Sequence, residues 1–107
     1  MYSVRYNKQM KYILESTKIF DKWIKSIKDP TTKRRILARL ALAENGHFGD
    51  HKFFGDIGEL RFTFGGGIRV YYTIRNQKIV FLLKGGNKSS QEQDFKTARA
   101  MLDELKD

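Results

Sequence analysis

Residues 52–91 of this chain read KFFGDIGELRFTFGGGIRVYYTIRNQKIVFLLKGGNKSSQ, and they decide its fold. Gly65–Gly67 and Asn76–Gln77 are turn sequences that separate strand-like segments. Ile79–Leu83 is apolar without interruption, which predicts a central strand buried on both faces, whereas the segment from Ile68 to Ile74 alternates. The stretch therefore predicts an antiparallel meander with strands at 52–54, 58–64, 68–75 and 78–84.

Cationic side chains recur through the same stretch, at Arg61, Arg69, Lys84 and Lys88. The whole chain has 21 Lys and Arg against 12 Asp and Glu, a formal net charge of +9. Such an excess favours attraction to phosphate backbones or to an acidic protein. The sequence has no cysteine, which excludes disulfides, thiol catalysis and cysteine-based zinc sites.

The length of 107 residues is that of one small domain. No apolar stretch approaches the roughly 20 residues that a membrane-spanning helix needs, and the N-terminus lacks the apolar core of a signal peptide. We expect a cytoplasmic protein with no metal or other cofactor and no membrane partner. We expect residues 11–107 to form the domain and residues 1–10 to be an N-terminal extension, to which no role is assigned.

Helical signals flank the meander. A short strand is predicted at 12–15, followed by a helix over 17–27 that Ser16 or Thr17 caps. A second helix is predicted from Pro30 to Glu44, and a C-terminal helix begins with a capping box at Ser89 or Ser90. The order β-α-α-β-β-β-β-α predicts an α+β fold, in which an N-terminal strand and a helical hairpin pack on a curved antiparallel sheet, with a C-terminal helix. The predicted apolar faces comprise Ile19, Phe20, Trp23, Ile24 and Ile27 in the first helix, Ile36, Leu37, Leu40 and Ala41 in the second, and Phe95, Ala98, Leu102 and Leu105 in the third.

Three motifs in the meander resemble those of a known protein family. ELR at 59–61, GIRVYY at 67–72 and LLKGGNKSSQ at 82–91 are similar to the signatures of RelE-superfamily toxins, specifically the HigB-like addiction module killer branch. The resemblance covers roughly residues 11–106 and implies a RelE-like fold. It further implies a toxin of a bacterial type II toxin–antitoxin system, a metal-independent endonuclease that cleaves mRNA on the ribosome. A helix-turn-helix antitoxin of the HigA type would neutralise it.

Cleavage of RNA by its own ribose 2′-OH needs a proton acceptor, cations around the phosphorane and a donor at the departing 5′-oxygen. The resemblance places a phosphate-binding arginine at Arg69 and a catalytic cation at Lys88. Antiparallel pairing would bring Arg61 beside Arg69, and Lys84 lies just before the Gly85–Gly86 turn. Each of these cations also has an ordinary explanation, as a paired or solvated surface side chain.

The general base is the least determined part of the predicted site. Glu59 is a candidate if it faces the cations; otherwise it orients Arg61 and Arg69. His47 and His51 flank the loop into the sheet, and imidazole suits proton transfer near neutral pH, although a loop histidine is more often incidental. Asp94 lies near the position at which related toxins have a catalytic tyrosine, and this departure argues against a tyrosine-dependent step.

Further RNA contacts are predicted for Tyr71, which could stack on a base or fill the core. Lys33, Arg34 and Arg35 of the second helix are predicted to dock on RNA or on an acidic antitoxin segment, or else to form an ordinary solvated face. Two other classes of function stay open. One is a ParE-like inhibitor of DNA gyrase, and the other is a noncatalytic RNA-binding toxin relic.

Overall fold

The computed structural model describes residues 12–105, which form a five-stranded mixed sheet with helices on both faces. The predicted element order and α+β class are confirmed, while the predicted extension at residues 1–10 lies outside the described residues. The elements in chain order are β1 (Ile13–Ser16), α1 (Lys18–Ser26), α2 (Pro30–Glu44), β2 (His51–Phe54), β3 (Ile57–Arg61), β4 (Arg69–Arg75), β5 (Ile79–Gly86) and α3 (Gln91–Leu105), with a 3₁₀ turn at Lys88–Ser90 before α3.

The strand order across the sheet is β1-β5-β4-β3-β2. Strands β2 to β5 form the predicted antiparallel meander. β1, for which the sequence predicted no partner strand, runs parallel to β5, with Ile13 opposite Ile79 and Ser16 opposite Leu82, so the five-stranded sheet is mixed. The helical hairpin between β1 and the meander makes this possible, because parallel strands need a long crossover connection.

Local sequence signals set several of the turns and helix ends. Thr17 caps α1, since its Oγ1 accepts a hydrogen bond from the Phe20 N–H at 2.9 Å, and Pro30 is the first residue of α2. Asn76 and Gln77 both have positive φ, at 54° and 56°, as the hairpin turn between β4 and β5 requires. Ser90 stands directly before α3, as predicted, but its side chain forms a capping box with Asn87 around the preceding 3₁₀ turn and donates to Asp94.

The bounds and burial of the central strands differ from the prediction. β3 ends at Arg61, so residues 62–64 lie outside it, while β5 continues to Gly86. β4 is the central strand and is buried continuously from Val70 to Thr73, so the predicted alternation along it is wrong. The physical reason is that apolar cores cover both faces of the sheet at this point.

Two hydrophobic cores hold the sheet between its helices. One lies under the α1–α2 hairpin and includes Phe20, Ile36 and Tyr72, and the other lies under α3 and includes Tyr71, Leu83 and Ala98. Two predicted core residues are instead largely exposed, Ile19 at 48% and Leu37 at 45%. Ala41 is exposed as well. Within residues 12–105, none of the helices combines the length and the apolar character that a membrane span requires.

Candidate active site

A polar cluster lies on the α3 face of the sheet, where β3, β4 and β5 reach the same end. Arg61 stands directly opposite Arg69, so the predicted approach of these two arginines is present in the structure. One step further into the sheet, Glu59 lies opposite Tyr71, which in turn lies opposite Lys84. Because alternate residues of a strand share a face, all five side chains belong to one surface of the sheet.

Lys84 reaches this face because of an irregularity in β5. Tyr72 pairs with Leu82, whereas the preceding Tyr71 pairs with Lys84, so Leu83 is an extra residue in the ladder. Leu83 packs into the α3 core, and the next side chain, Lys84, places its Nζ 3.1 Å from Oδ1 of Asp94 in α3. A regular ladder would have turned the lysine toward α1. The bulge therefore turns Lys84 to the α3 face, beside Asp94; bulges commonly re-aim a side chain in this way beside functional sites.

Glu59 lies beneath the two arginines and is only 2% exposed. Its Oε2 accepts hydrogen bonds from the Tyr71 hydroxyl at 2.8 Å and from Gln91 Nε2 at 3.0 Å. Its two carboxylate oxygens lie 4.0 Å from Arg61 Nε and 3.9 Å from Arg69 Nε. A general base must reach the proton that it removes, so the geometry favours the orienting role of Glu59 over the role of base.

The two arginines keep part of their hydrogen-bonding capacity unused. Arg69 is 14% exposed, and its Nη1 donates to the carbonyl oxygens of Gly67 at 3.0 Å and Ile68 at 3.2 Å. Arg61 is 35% exposed, with Nη2 3.4 Å from Asp50. Within the described part of the chain, the Nε atoms of both arginines are buried without a hydrogen-bond partner. Because these Nε atoms are buried, it is the partly exposed remainder of each guanidinium side chain that can meet the oxygens of a phosphate.

The two lysines of the cluster are held very differently. Lys84 is 21% exposed, and its Nζ also donates to the Gly85 carbonyl at 3.2 Å. Lys88 is exposed on the 3₁₀ turn, where its backbone N–H donates to the carbonyl of Gly66 at 3.2 Å. A Cβ built on Gly67 would lie 3.3 Å from Lys88 Cβ and 3.4 Å from Arg69 Nη1, so these two cations flank the glycine. The structure thus brings all four predicted cations to one end of the sheet.

Tyr71 is fully buried, so of the two roles predicted for its ring it fills the core and does not stack on a base. A stacking ring must offer a face to the nucleic acid, and this one packs under α3, with Phe95 edge-on at 5.9 Å. Burial, the hydrogen bond to Glu59 and the charges of Glu59 and Asp94 raise the pKa of the Tyr71 hydroxyl, and Arg69 offsets this in part. The phenol therefore stays protonated and serves as a donor to Glu59.

The other predicted site residues lie outside the cluster. His51 is exposed, with Nδ1 2.7 Å from the Gly49 carbonyl, and its ring meets Phe48 and Phe53 on the opposite face of the sheet. His47 is exposed in the loop after α2. Lys33, Arg34 and Arg35 lie on α2, where the Arg35 guanidinium stacks 3.8 Å from the centre of the Phe64 ring.

Sequence reasoning missed the role of Arg39, which it treated as one more cation of α2. Its guanidinium donates to the carbonyls of Phe48 at 3.1 and 3.2 Å, Asp50 at 2.8 Å and Arg61 at 3.0 Å. Burial lowers its pKa, and the charge of Asp50 opposes this. Arg39 thereby ties α2 to the end of β3 that carries Arg61. No local signal predicts this, because the acceptors are backbone carbonyls distant along the chain.

The sheet order, the helices on both faces and the cation cluster define a class of protein, that of the RelE-like fold. The structure matches the free E. coli toxin RelE, in a mutant form, with a TM-score of 0.70 and 18% identity, covering 86% of this chain and 98% of that one. It also matches a chain of the intact E. coli RelBE toxin–antitoxin complex, with a TM-score of 0.57 and 18% identity, covering 71% and 95%. These likenesses establish the fold and confirm the resemblance found in the sequence.

The family follows from the sequence comparisons. Residues 22–106 match the model of the family described as Phage derived protein Gp49-like (DUF891). An uncharacterised protein of Haemophilus influenzae is 41% identical over 93 residues, which cover 86% of this chain and 94% of the relative. The chain therefore belongs to the Gp49-like family.

Proposed function

We propose that this protein is the toxin of a bacterial type II toxin–antitoxin system and a metal-independent endonuclease that cleaves ribosome-bound mRNA. The observation that carries the proposal is the gathering of Arg61, Arg69, Lys84 and Lys88 at one end of the sheet, around the buried Glu59. Four cations beside an open surface suit an anionic transition state much better than a neutral ligand.

The chemistry divides among these residues. In-line attack of a ribose 2′-OH on the adjacent phosphate yields a cyclic phosphate and frees a 5′-hydroxyl. Arg61 and Arg69, held side by side over Glu59, can clamp the nonbridging oxygens as negative charge develops on them. Lys84 and Lys88 lie on the β5 side of this clamp, where they can meet the departing strand or the next phosphate.

The comparisons support the toxin assignment and an antitoxin partner. The chain shares its fold with E. coli RelE, which is a toxin and which is also found bound to a peptide of the antitoxin RelB. We infer that a cognate antitoxin, of the HigA-like helix-turn-helix type, neutralises this protein. Arg34 and Arg35, which are exposed, and Lys33, which is partly buried, form a basic surface on α2 for ribosomal RNA or for an acidic segment of that antitoxin.

Cleavage mapping tests the proposal directly. The purified protein is incubated with ribosomes carrying a reporter mRNA, and new 5′ ends are mapped. We expect cleavage by the wild type and a loss of about 100-fold or more in rate for Arg69→Ala, since removing one preorganised donor from an oxyanion site costs about that much. Arg75→Ala is the matched control, because Arg75 is exposed at the opposite end of the same strand.

Each alternative has its own signature in the same set of assays. If transcripts stay intact and the protein inhibits supercoiling by DNA gyrase, the protein is a ParE-like gyrase inhibitor and not an endonuclease. Intact transcripts with normal supercoiling and retained RNA binding would identify a noncatalytic relic. If the Arg69→Ala protein does not cleave mRNA but still binds the antitoxin, the substitution has removed catalytic activity and not the fold.

A further inference from the structure

We propose that Lys84 is the residue that protonates the departing 5′-oxygen and that Asp94 is its positioning residue. The inference rests on the proposed endonuclease function and assigns one step of that reaction. It starts from a buried carboxylate that the phosphate clamp does not use: Asp94 is only 5% exposed and lies in the first turn of α3.

Asp94 is built into a tight polar contact. Its Oδ1 lies 3.1 Å from Lys84 Nζ, and its Oδ2 accepts a hydrogen bond from Ser90 Oγ at 2.5 Å. Gly86 makes room for the carboxylate, since a Cβ at that position would collide with Oδ2. A buried carboxylate costs free energy unless it is paired, so this arrangement fixes the ammonium of Lys84 in one place.

Lys84 keeps one free donor in this arrangement. An ammonium has three N–H groups, and two of them are used by Asp94 and by the carbonyl of Gly85. The side chain is 21% exposed and lines an open cleft next to the arginine clamp, between Trp23 and Ile27 at the C-terminal end of α1 and Asn87 and Ser90 before α3. The third N–H is therefore the one available to a substrate oxygen in that cleft.

The contrast with Lys88 decides between the two lysines. Lys88 is exposed on the 3₁₀ turn, whereas Lys84 is anchored by a buried carboxylate. Proton transfer to a leaving group depends on a heavy-atom separation near 3 Å, so it needs a donor of fixed position. Electrostatic attraction to a phosphate of the flexible RNA backbone needs a positive charge but no fixed position. Lys84 thus fits the leaving-group step, and Lys88 fits contact with a neighbouring phosphate.

The bonds and protons of the step balance. The 2′-oxygen bonds to phosphorus and releases its proton to solvent, while the bond between phosphorus and the 5′-oxygen breaks. The 5′-oxygen keeps the electron pair of that bond and takes a proton from the Lys84 ammonium. The resulting amine regains a proton from water, with Asp94 holding it in place.

A substrate with a better leaving group tests this assignment. An mRNA carries a single sulfur in place of the bridging 5′-oxygen at the mapped cleavage site, and its single-turnover cleavage on ribosomes is compared with that of ordinary mRNA. A departing thiolate needs no proton. We expect Lys84→Met and Asp94→Asn to slow cleavage of ordinary mRNA by about 10- to 100-fold and to recover near wild-type rates on the sulfur substrate.

The other variants make the result specific. Arg69→Ala should stay slow on both substrates, because the phosphate still needs its clamp. Lys78→Met and Glu92→Gln, which change exposed residues at the start of the β5 hairpin and in the first turn of α3, should cleave both substrates normally. Recovery on the sulfur substrate also shows that a variant is folded.

Three outcomes would overturn the assignment. Equal losses on both substrates for Lys84→Met and Asp94→Asn would show that neither acts on the leaving group. Recovery of Lys88→Met in place of Lys84→Met would transfer the role to Lys88. If the wild type cleaves neither mRNA, the proposed endonuclease function fails and this inference fails with it.

Discussion

Tyr71 and Tyr72 are neighbours in β4 and are both fully buried, yet they differ in what their hydroxyls contact. Tyr71 faces α3 and donates to Glu59 at 2.8 Å. Tyr72 faces the α1–α2 hairpin and stacks on Phe48 at 5.5 Å, and its hydroxyl has no hydrogen-bond partner within residues 12–105. Burial raises the pKa of Tyr72 to about 12, so its hydroxyl is neutral at physiological pH.

This difference predicts opposite effects for two matched substitutions. Tyr71→Phe should lower the free energy of unfolding by about 1–3 kcal/mol, because it removes a donor from the buried Glu59 carboxylate. Tyr72→Phe should leave that free energy unchanged or raise it by up to about 1 kcal/mol, because it removes a polar atom that lacks a partner. Urea unfolding of the two variants measures the difference. Equal destabilisation would show that both hydroxyls are hydrogen-bonded in solution.

The proximity of residues on paired strands could be predicted from the sequence, but the burial of individual side chains could be predicted less well. Arg61 and Arg69 flank a glycine turn, so the pairing of their strands could be predicted from the motifs alone. The alternation of β4 suggested that one of its two tyrosines lies in a cleft, but α3 buries that face as well. Coverage of a strand by a distant helix is a tertiary effect that the strand's own pattern does not encode.

At the scale of elements, Arg39 joins α2 to the loop and strand that carry Arg61. Its guanidinium crosses from the helix to three carbonyl groups and lies over the Phe62 ring at 4.5 Å. Gly49, with φ of 70°, passes so close that a Cβ there would lie 2.6 Å from Arg39 Nε. This connection fixes where α2 meets the end of β3.

We predict that Arg39→Met lowers the free energy of unfolding by about 1–3 kcal/mol, since it leaves partly buried carbonyls without their donor. Arg34→Met is the control, because Arg34 is exposed on the same helix and donates to the Thr31 hydroxyl, at 3.4 Å. Thermal unfolding at equal ionic strength compares the two. A similar small decrease in the free energy of unfolding of both variants would mean that water can replace Arg39 as the donor to these carbonyls.

Element ends were predictable where a local cap or turn defined them, as at Thr17, Pro30 and Asn76–Gln77. The parallel pairing of β1 with β5 was not, because it joins strands from the two ends of the described fold. The start of α3 after Ser90 was predictable, but the 3₁₀ turn before it was not, and the capping box forms there between Asn87 and Ser90. Features of this kind are decided by the contacts of the folded chain.

At the scale of the whole molecule, the net charge of +9 should make RNA binding strongly dependent on salt. Each phosphate contact to single-stranded nucleic acid contributes about −0.7 to the slope of log K against log salt concentration. Contact with all four cations of the cluster would therefore give a slope of about −3.

This slope can be dissected residue by residue. Fluorescence anisotropy with an oligonucleotide that carries a 2′-deoxy nucleotide at the mapped cleavage site measures binding without cleavage. Arg69→Ala should make the slope shallower by about 0.7, whereas Arg75→Ala, at the far end of β4, should leave it unchanged. Equal changes in both variants would indicate diffuse attraction to the basic surface, with no preferred contact at the cluster.

The extra residue in β5 also affects how members of this family should be compared. Because Leu83 has no partner of its own in β4, the surface that Lys84 occupies depends on the number of residues before it and not on its identity alone. A homologue that lacked this one residue would carry its lysine on the α1 side, even if its motif looked intact. A gap at this point of an alignment thus moves the lysine to the other face of the sheet. Equivalent lysines in homologues should be identified from the pairing of β4 with β5, and not from their position in the sequence motif.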